Sequence, residues 1–148
     1  MYHELFDEAL AAYNAKKKKT RDKIPDYYEH IRQSKQEKLF HEAIFQIGNL
    51  IDCGCGSPGG ERAAAALKEF AESFQERNPH LRVFNMVLHM DEATPHLHVD
   101  FIPVATEQSR GLSTRGIYET GIEAAGGLSV SAESRPNGRR GWNGRKKL

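Results

Sequence analysis

An α+β fold is predicted: an antiparallel sheet flanked by helices, followed by a disordered basic tail. Three observations carry it. Ala63, Ala66, Leu67, Phe70 and Phe74 mark a helical stripe that Asn78-Pro79 stops. Two runs rich in β-formers follow, Leu81 to about Met90 and His96 to Val104. The turn-type residues Asp91 to Pro95 join them, a connection short enough for an antiparallel pair. After Val104 periodicity decays, and residues 126–148 hold few apolar groups and no sustained period.

The remaining elements follow in order. Tyr2, Phe6, Ala9, Leu10 and Tyr13 recur at helical spacing, which predicts an amphipathic helix over 2–19. Glu4, Asp7 and Glu8 come early and Lys16, Lys17, Lys18 and Lys19 late, an order that suits the helix macrodipole. The lysine run reads first as a charged helix end, with phosphate contact as the functional alternative. Residues 20–25 break the helix, and Pro25 starts a second one through Tyr27, Tyr28 and Ile31 to about Gln36. Leu39 to Ile47 predicts a strand ended by Gly48-Asn49. Residues 50–60 read as a Gly-rich loop, with Ser57-Pro58 as the entry to the long helix. The order is helix, helix, strand, helix, strand, strand.

A length of 148 residues suits one domain of ordinary size. No apolar run approaches the roughly 18 residues of a membrane span, and no signal peptide opens the chain, so the cytoplasm is the expected location. The net charge of +1 hides an asymmetry. Residues 135–148 carry +6 and no acid, which leaves −5 on the preceding 134. Eight of the 13 glycines fall after position 110. Such a tail suits polyanions, and a solvated tail has the same pattern. Cys53 and Cys55 cannot form a multi-disulfide framework and read as reduced thiols in a loop.

The histidines are more informative. His89, His96 and His98 fall within ten residues, in HMDEATPHLH. Side chains two apart on a strand share a face, roughly 6.6 Å apart along the backbone. His96, His98 and Asp100 therefore form one row, while Leu97, Val99 and Phe101 point into packing. An antiparallel partner brings His89 alongside at the roughly 5 Å of cross-strand neighbours. Three imidazoles then converge from a rigid sheet, as a metal site requires, and imidazole suits Mn, Zn, Fe, Co or Ni better than Mg or Ca. Asp91 and Glu92 are candidates for ligands, or for groups that orient the imidazoles. His41, among apolar residues, reads as structural, and His3, His30 and His80 as exposed.

The segment VLHMDEATPHLH at 87–98 resembles the metal motif of the plasmid mobilization and recombination proteins, the Mob/Pre or MobV-type relaxases of the HUH nuclease class. Flanking segments share the likeness: YHELFDEALAAYNAK, DYYEHIRQSKQEKLFHEAIFQIGN, FQERNPHLRVFN and FIPVATEQSRGLSTR. The resemblance covers residues 1 to about 115. It implies an antiparallel sheet with the histidines on central strands. It also implies nicking of single-stranded plasmid DNA at a transfer origin, covalent attachment to the 5′ phosphate and later rejoining. His89, His96 and His98 would hold the cation, with Glu92 as ligand or support and Asp91 in support. Mn²⁺ is favoured on the strength of three imidazoles, with Mg²⁺ or Zn²⁺ as alternatives. Plasmid DNA and other mobilization proteins are the implied partners.

Two departures from the family pattern qualify this. The family's nucleophile, a histidine or tyrosine, belongs to an N-terminal motif that nothing here matches, and the strand carrying it is missing. The expectation is therefore a partial relaxase domain over 1–115, with exposed sheet edges and an unassigned nucleophile. Tyr2, Tyr13, Tyr27 and Tyr28 have helical spacing and read as packing residues. From 116 to 148 a divergent tail replaces the family's helical region, as a frameshift would produce. Two other functions stay open. One is a metal-dependent phosphodiester hydrolase with Asp91 or Glu92 as base. The other is a DNA-binding remnant without chemistry, using the lysine run and the tail.

Overall fold

In the computed structural model, residues 1–116 are described. All but the first residue of the expected tail lies outside them. The elements are α1 (Tyr2–Ala15), α2 (Tyr27–Arg32), β1 (His41–Gln46), α3 (Leu50–Cys53), α4 (Pro58–Arg77), β2 (Leu81–His89) and β3 (His96–Pro103). A single 3-10 turn, Thr20–Asp22, lies between α1 and α2. The strands form an open antiparallel sheet in the order β1-β3-β2, which makes the fold α+β. β3 is central; β1 and β2 are edges of the described sheet. No helix among the described residues is long and apolar enough to cross a membrane.

The described chain divides into two compact units. One comprises Met1–His41, His80–Arg82 and the described residues from Ile102 on. Phe6, Ala9 and Leu10 of α1, Tyr27 and Ile31 of α2, Ile102 and Leu112 form its core. Tyr2, Phe6 and Tyr27 pack as a ring cluster with centroids 4.8–6.1 Å apart. The Asn14 side chain spans the break after α1: its amide donates to the Ile24 carbonyl at 2.7 Å and accepts from the Ile24 N–H at 2.9 Å. Arg115 pairs with Glu37 at 2.8 Å, and an antiparallel bridge joins Arg115 to Ala105.

α1 stops at Ala15, four residues before the predicted end. Lys16 to Lys19 therefore follow the helix instead of forming its last turn. Lys17 lies 4.4 Å above the Tyr13 ring, and the other three lysines are exposed. α2 is also shorter than predicted, and Pro25 precedes it. Asp26 is the cap, its carboxylate accepting from the Glu29 N–H at 3.1 Å.

The second unit comprises Glu42–Pro79 and Val83–Phe101. α4 begins where Ser57-Pro58 predicts: the Ser57 hydroxyl accepts from the Gly60 N–H at 3.0 Å and donates to the Gly54 carbonyl at 2.7 Å. Phe45 of β1 meets Phe70 and Phe74 of α4 at centroid distances of 4.8 and 5.7 Å. Ala66 is exposed, contrary to the predicted stripe; Gly59, Gly60, Ala63, Leu67 and Phe74 are the buried positions. Gly59 is required: a Cβ there would lie 1.9 Å from the Asp52 carbonyl oxygen. Where the sequence predicts a loop, α3 is one turn capped by Asn49, whose side chain accepts from the N–H groups of Ile51 and Asp52. Leu50 and Ile51 are exposed, so this turn has no buried stripe for periodicity to reveal.

Two predictions follow from the packing. Phe74 is fully buried in the aromatic cluster, so Phe74→Ala should destabilise by about 3–5 kcal/mol in urea unfolding with an unchanged slope. The Tyr2 hydroxyl is buried without a hydrogen-bond partner among the described residues. Burial, then Tyr27 and Glu37, raise its phenol pKa well above the usual range. The fold favours neutral Tyr2. Its contribution is therefore full below about pH 10 and is lost as pH rises through the raised value. Tyr2→Phe should leave neutral-pH stability unchanged or raised, and should reduce the fall in melting temperature above about pH 10.

Candidate metal centre

The centre is built on β3 and the loop before it. Along β3, Leu97, Val99 and Phe101 are buried, while His96, His98 and Asp100 alternate with them on the open face. The β2–β3 connection carries Asp91, Glu92 and Ala93 exposed, then Thr94 and Pro95 buried. Two main-chain contacts hold this loop in shape. The Ala93 carbonyl accepts from the Cys55 N–H at 3.1 Å, and the Thr94 carbonyl takes Nδ1 of His96 at 2.9 Å. The segment 53–56 thus braces the loop through its backbone, and both its thiols are free.

The three imidazoles converge. Their ring centroids lie 5.1 Å apart for His89 and His96, 4.8 Å for His89 and His98, and 5.1 Å for His96 and His98. Ligand atoms of His89, Glu92 and His96 all fall within 4.8 Å of one another, a group that does not include His98. Glu92 Oε2 lies 3.8 Å from Nε2 of His96. Asp91 Oδ1 lies 3.5 Å from Nδ1 of His89. Asp100, in the same row, is engaged elsewhere: it accepts from the Asn85 side-chain amide at 2.9 Å.

The structure adds one residue that the sequence pattern does not single out. Glu42, on β1, places Oε1 2.5 Å from Nδ1 of His98. A carboxylate there holds the proton on Nδ1 and leaves Nε2 as a free donor atom. The Thr94 carbonyl does the same for His96. Both imidazoles are thereby set in the tautomer that a metal needs. With Glu42, Asp91 and Glu92 around them, the cluster is acidic, which favours a cation. The donor set, imidazole nitrogen with carboxylate oxygen, fits a first-row divalent metal. The sequence of β1 gave one hint of Glu42: it is a charged residue within an apolar run.

Comparison with known proteins gives the family. The family model described as plasmid recombination enzyme, Mob_Pre, matches residues 1–120. The chain belongs to the Mob/Pre family. No curated protein and no solved structure matches it. The match spans all the described elements, and it connects the Mob/Pre chain with plasmid recombination and mobilization.

The other predicted residues fall elsewhere in this Mob/Pre chain. Lys16 to Lys19 belong to the first unit, as do Tyr2, Tyr13, Tyr27 and Tyr28. Tyr27 is buried and Tyr2 and Tyr13 pack against the same core. His41 and His80 are half-buried; His80 was expected to be exposed, but its carbonyl accepts from the Val104 N–H at 2.8 Å and holds it against the chain. His3 and His30 are exposed as expected.

The tautomer argument predicts the effect of Glu42. Glu42→Gln should weaken Mn²⁺ binding about 10- to 100-fold by calorimetry, with Glu42→Asp recovering part of the loss. An unchanged affinity would show that the contact to His98 does not orient a ligand.

Proposed function

We propose that the chain is the metal-holding part of a relaxase, acting in divalent-cation-dependent nicking and strand transfer of single-stranded DNA at a plasmid transfer origin. The observation that supports this best is the convergence of three imidazoles on the open face of the sheet, two of them with Nδ1 already engaged. In this reading His89, His96 and His98 hold the cation, Mn²⁺ by preference, with Glu92 as ligand or support. Bound there, a divalent cation would polarise the scissile phosphate and offset charge developing on its oxygens. Glu42 and the Thr94 carbonyl hold two of the rings in the productive tautomer. Asp91 steadies His89 from the solvent side.

The acidic surroundings add a constraint. Glu42, Asp91 and Glu92 oppose a phosphate until positive charge is present, so DNA should approach this face only with the cation in place. Lys16, Lys17, Lys18 and Lys19 remain the proposed phosphate contacts in the first unit, Lys17 half-buried and the other three exposed. Other mobilization proteins are proposed as partners. The nucleophile is unassigned.

Binding and product analysis test the proposal. The purified chain should bind a single-stranded oligonucleotide in Mn²⁺, and a chelator or His96→Ala should reduce that affinity by at least about tenfold, read by anisotropy. Binding indifferent to both would refute the metal role. On a transfer-origin substrate, a protein–DNA adduct at the 5′ phosphate supports strand transfer. Free 5′-phosphate ends would instead assign the centre to hydrolysis.

A further inference from the structure

A groove of about 260 Å³ lies directly beside the imidazoles. Ile44 and Gln46 of β1 line it together with Glu92 to Thr94, His96 and His98. Its volume is slightly below that of pockets that take drug-sized ligands, so it suits a single small ring. Ile44 leaves 36% of its surface exposed here. A lone exposed isoleucine is ordinary, but this one stands next to a charged cluster and offers an apolar surface to a flat group.

Gln46 supplies the polar part. Its Nε2 donates to the Gly48 carbonyl at 3.2 Å. Gly48 adopts a φ of 71°, and a Cβ there would lie 2.5 Å from Sγ of Cys53, so this turn requires glycine. That contact occupies one N–H of the amide and leaves its carbonyl oxygen available as an acceptor. An acceptor of this kind matches the amino group of cytosine and opposes the carbonyl that thymine carries at the same ring position.

We propose that this groove seats the base of the nucleotide next to the metal-held phosphate, and that Gln46 selects cytosine over thymine there. The inference rests on the proposed function, since it takes the bound polymer to be single-stranded DNA. Ile44 supplies contact without sequence preference, and Gln46 supplies discrimination. Neither is a metal ligand, so base selection and cation binding separate by mutation.

The test uses the full chain, Mn²⁺ and the pentanucleotides dC5 and dT5, with affinities from fluorescence anisotropy. The chain should bind dC5 about threefold to tenfold more tightly than dT5, the range of one net hydrogen bond. Gln46→Leu should abolish that preference. Ile44→Ala should weaken both oligonucleotides to a similar extent. Calorimetry should show Mn²⁺ bound by both variants, which establishes that they fold. Equal affinities in the unaltered chain, or a preference that survives Gln46→Leu, would overturn the groove assignment and leave the metal reading intact. Binding of both oligonucleotides that ignores Mn²⁺ would overturn the reading beneath it.

Discussion

Everything at the centre depends on the two-residue period of β3. One strand serves both the core and the site: Leu97, Val99 and Phe101 are buried, and His96 and His98 share the opposite face. Because side chains alternate, burying the apolar row forces the imidazoles outward and toward each other. A slip of one residue in register would bury two histidines and expose the core. The hydrophobic demand of the sheet therefore fixes the chemistry of its open face.

Convergence alone does not make a ligand set. An imidazole binds metal through one nitrogen, and the other must be occupied for the ring to hold its orientation. The Thr94 carbonyl occupies Nδ1 of His96 from the loop just before the strand. Glu42 occupies Nδ1 of His98 from β1. The loop is itself held by the Cys55 N–H, which donates to the Ala93 carbonyl. The same β1 face that carries Glu42 continues into Ile44 and Gln46. A single edge strand thus serves orientation of a ligand and a wall of the adjoining groove.

Much of this was legible in the residues. α4 starts at its Ser57-Pro58 signal and ends at Asn78-Pro79, because capping and proline geometry act locally. β2 and β3 fall almost where the β-rich runs place them. The motif around His89 to His98 led to the family that the match over residues 1–120 shows. The misses share a cause. Charge order suggests that α1 runs through the four lysines, but its last position packed on the core is Tyr13, and residues 16–19 hold nothing apolar to bury. The pattern at α3 suggests a loop because Asn49 can close a strand or open a helix, and one turn has too few residues to show a period.

The sequence by itself determined the class of fold, the long helix, the short β2–β3 connection and the three histidines that share a site. Each is a matter of neighbours along the chain, where period, caps and turn residues act. Only the tertiary structure decided that β3 lies between β1 and β2, that Glu42 meets a histidine 56 positions away, and that Ile44 and Gln46 border the same centre. Those facts come from pairing between distant strands. Such pairing is set by which faces must be buried together, and no local pattern in β1 names its partner.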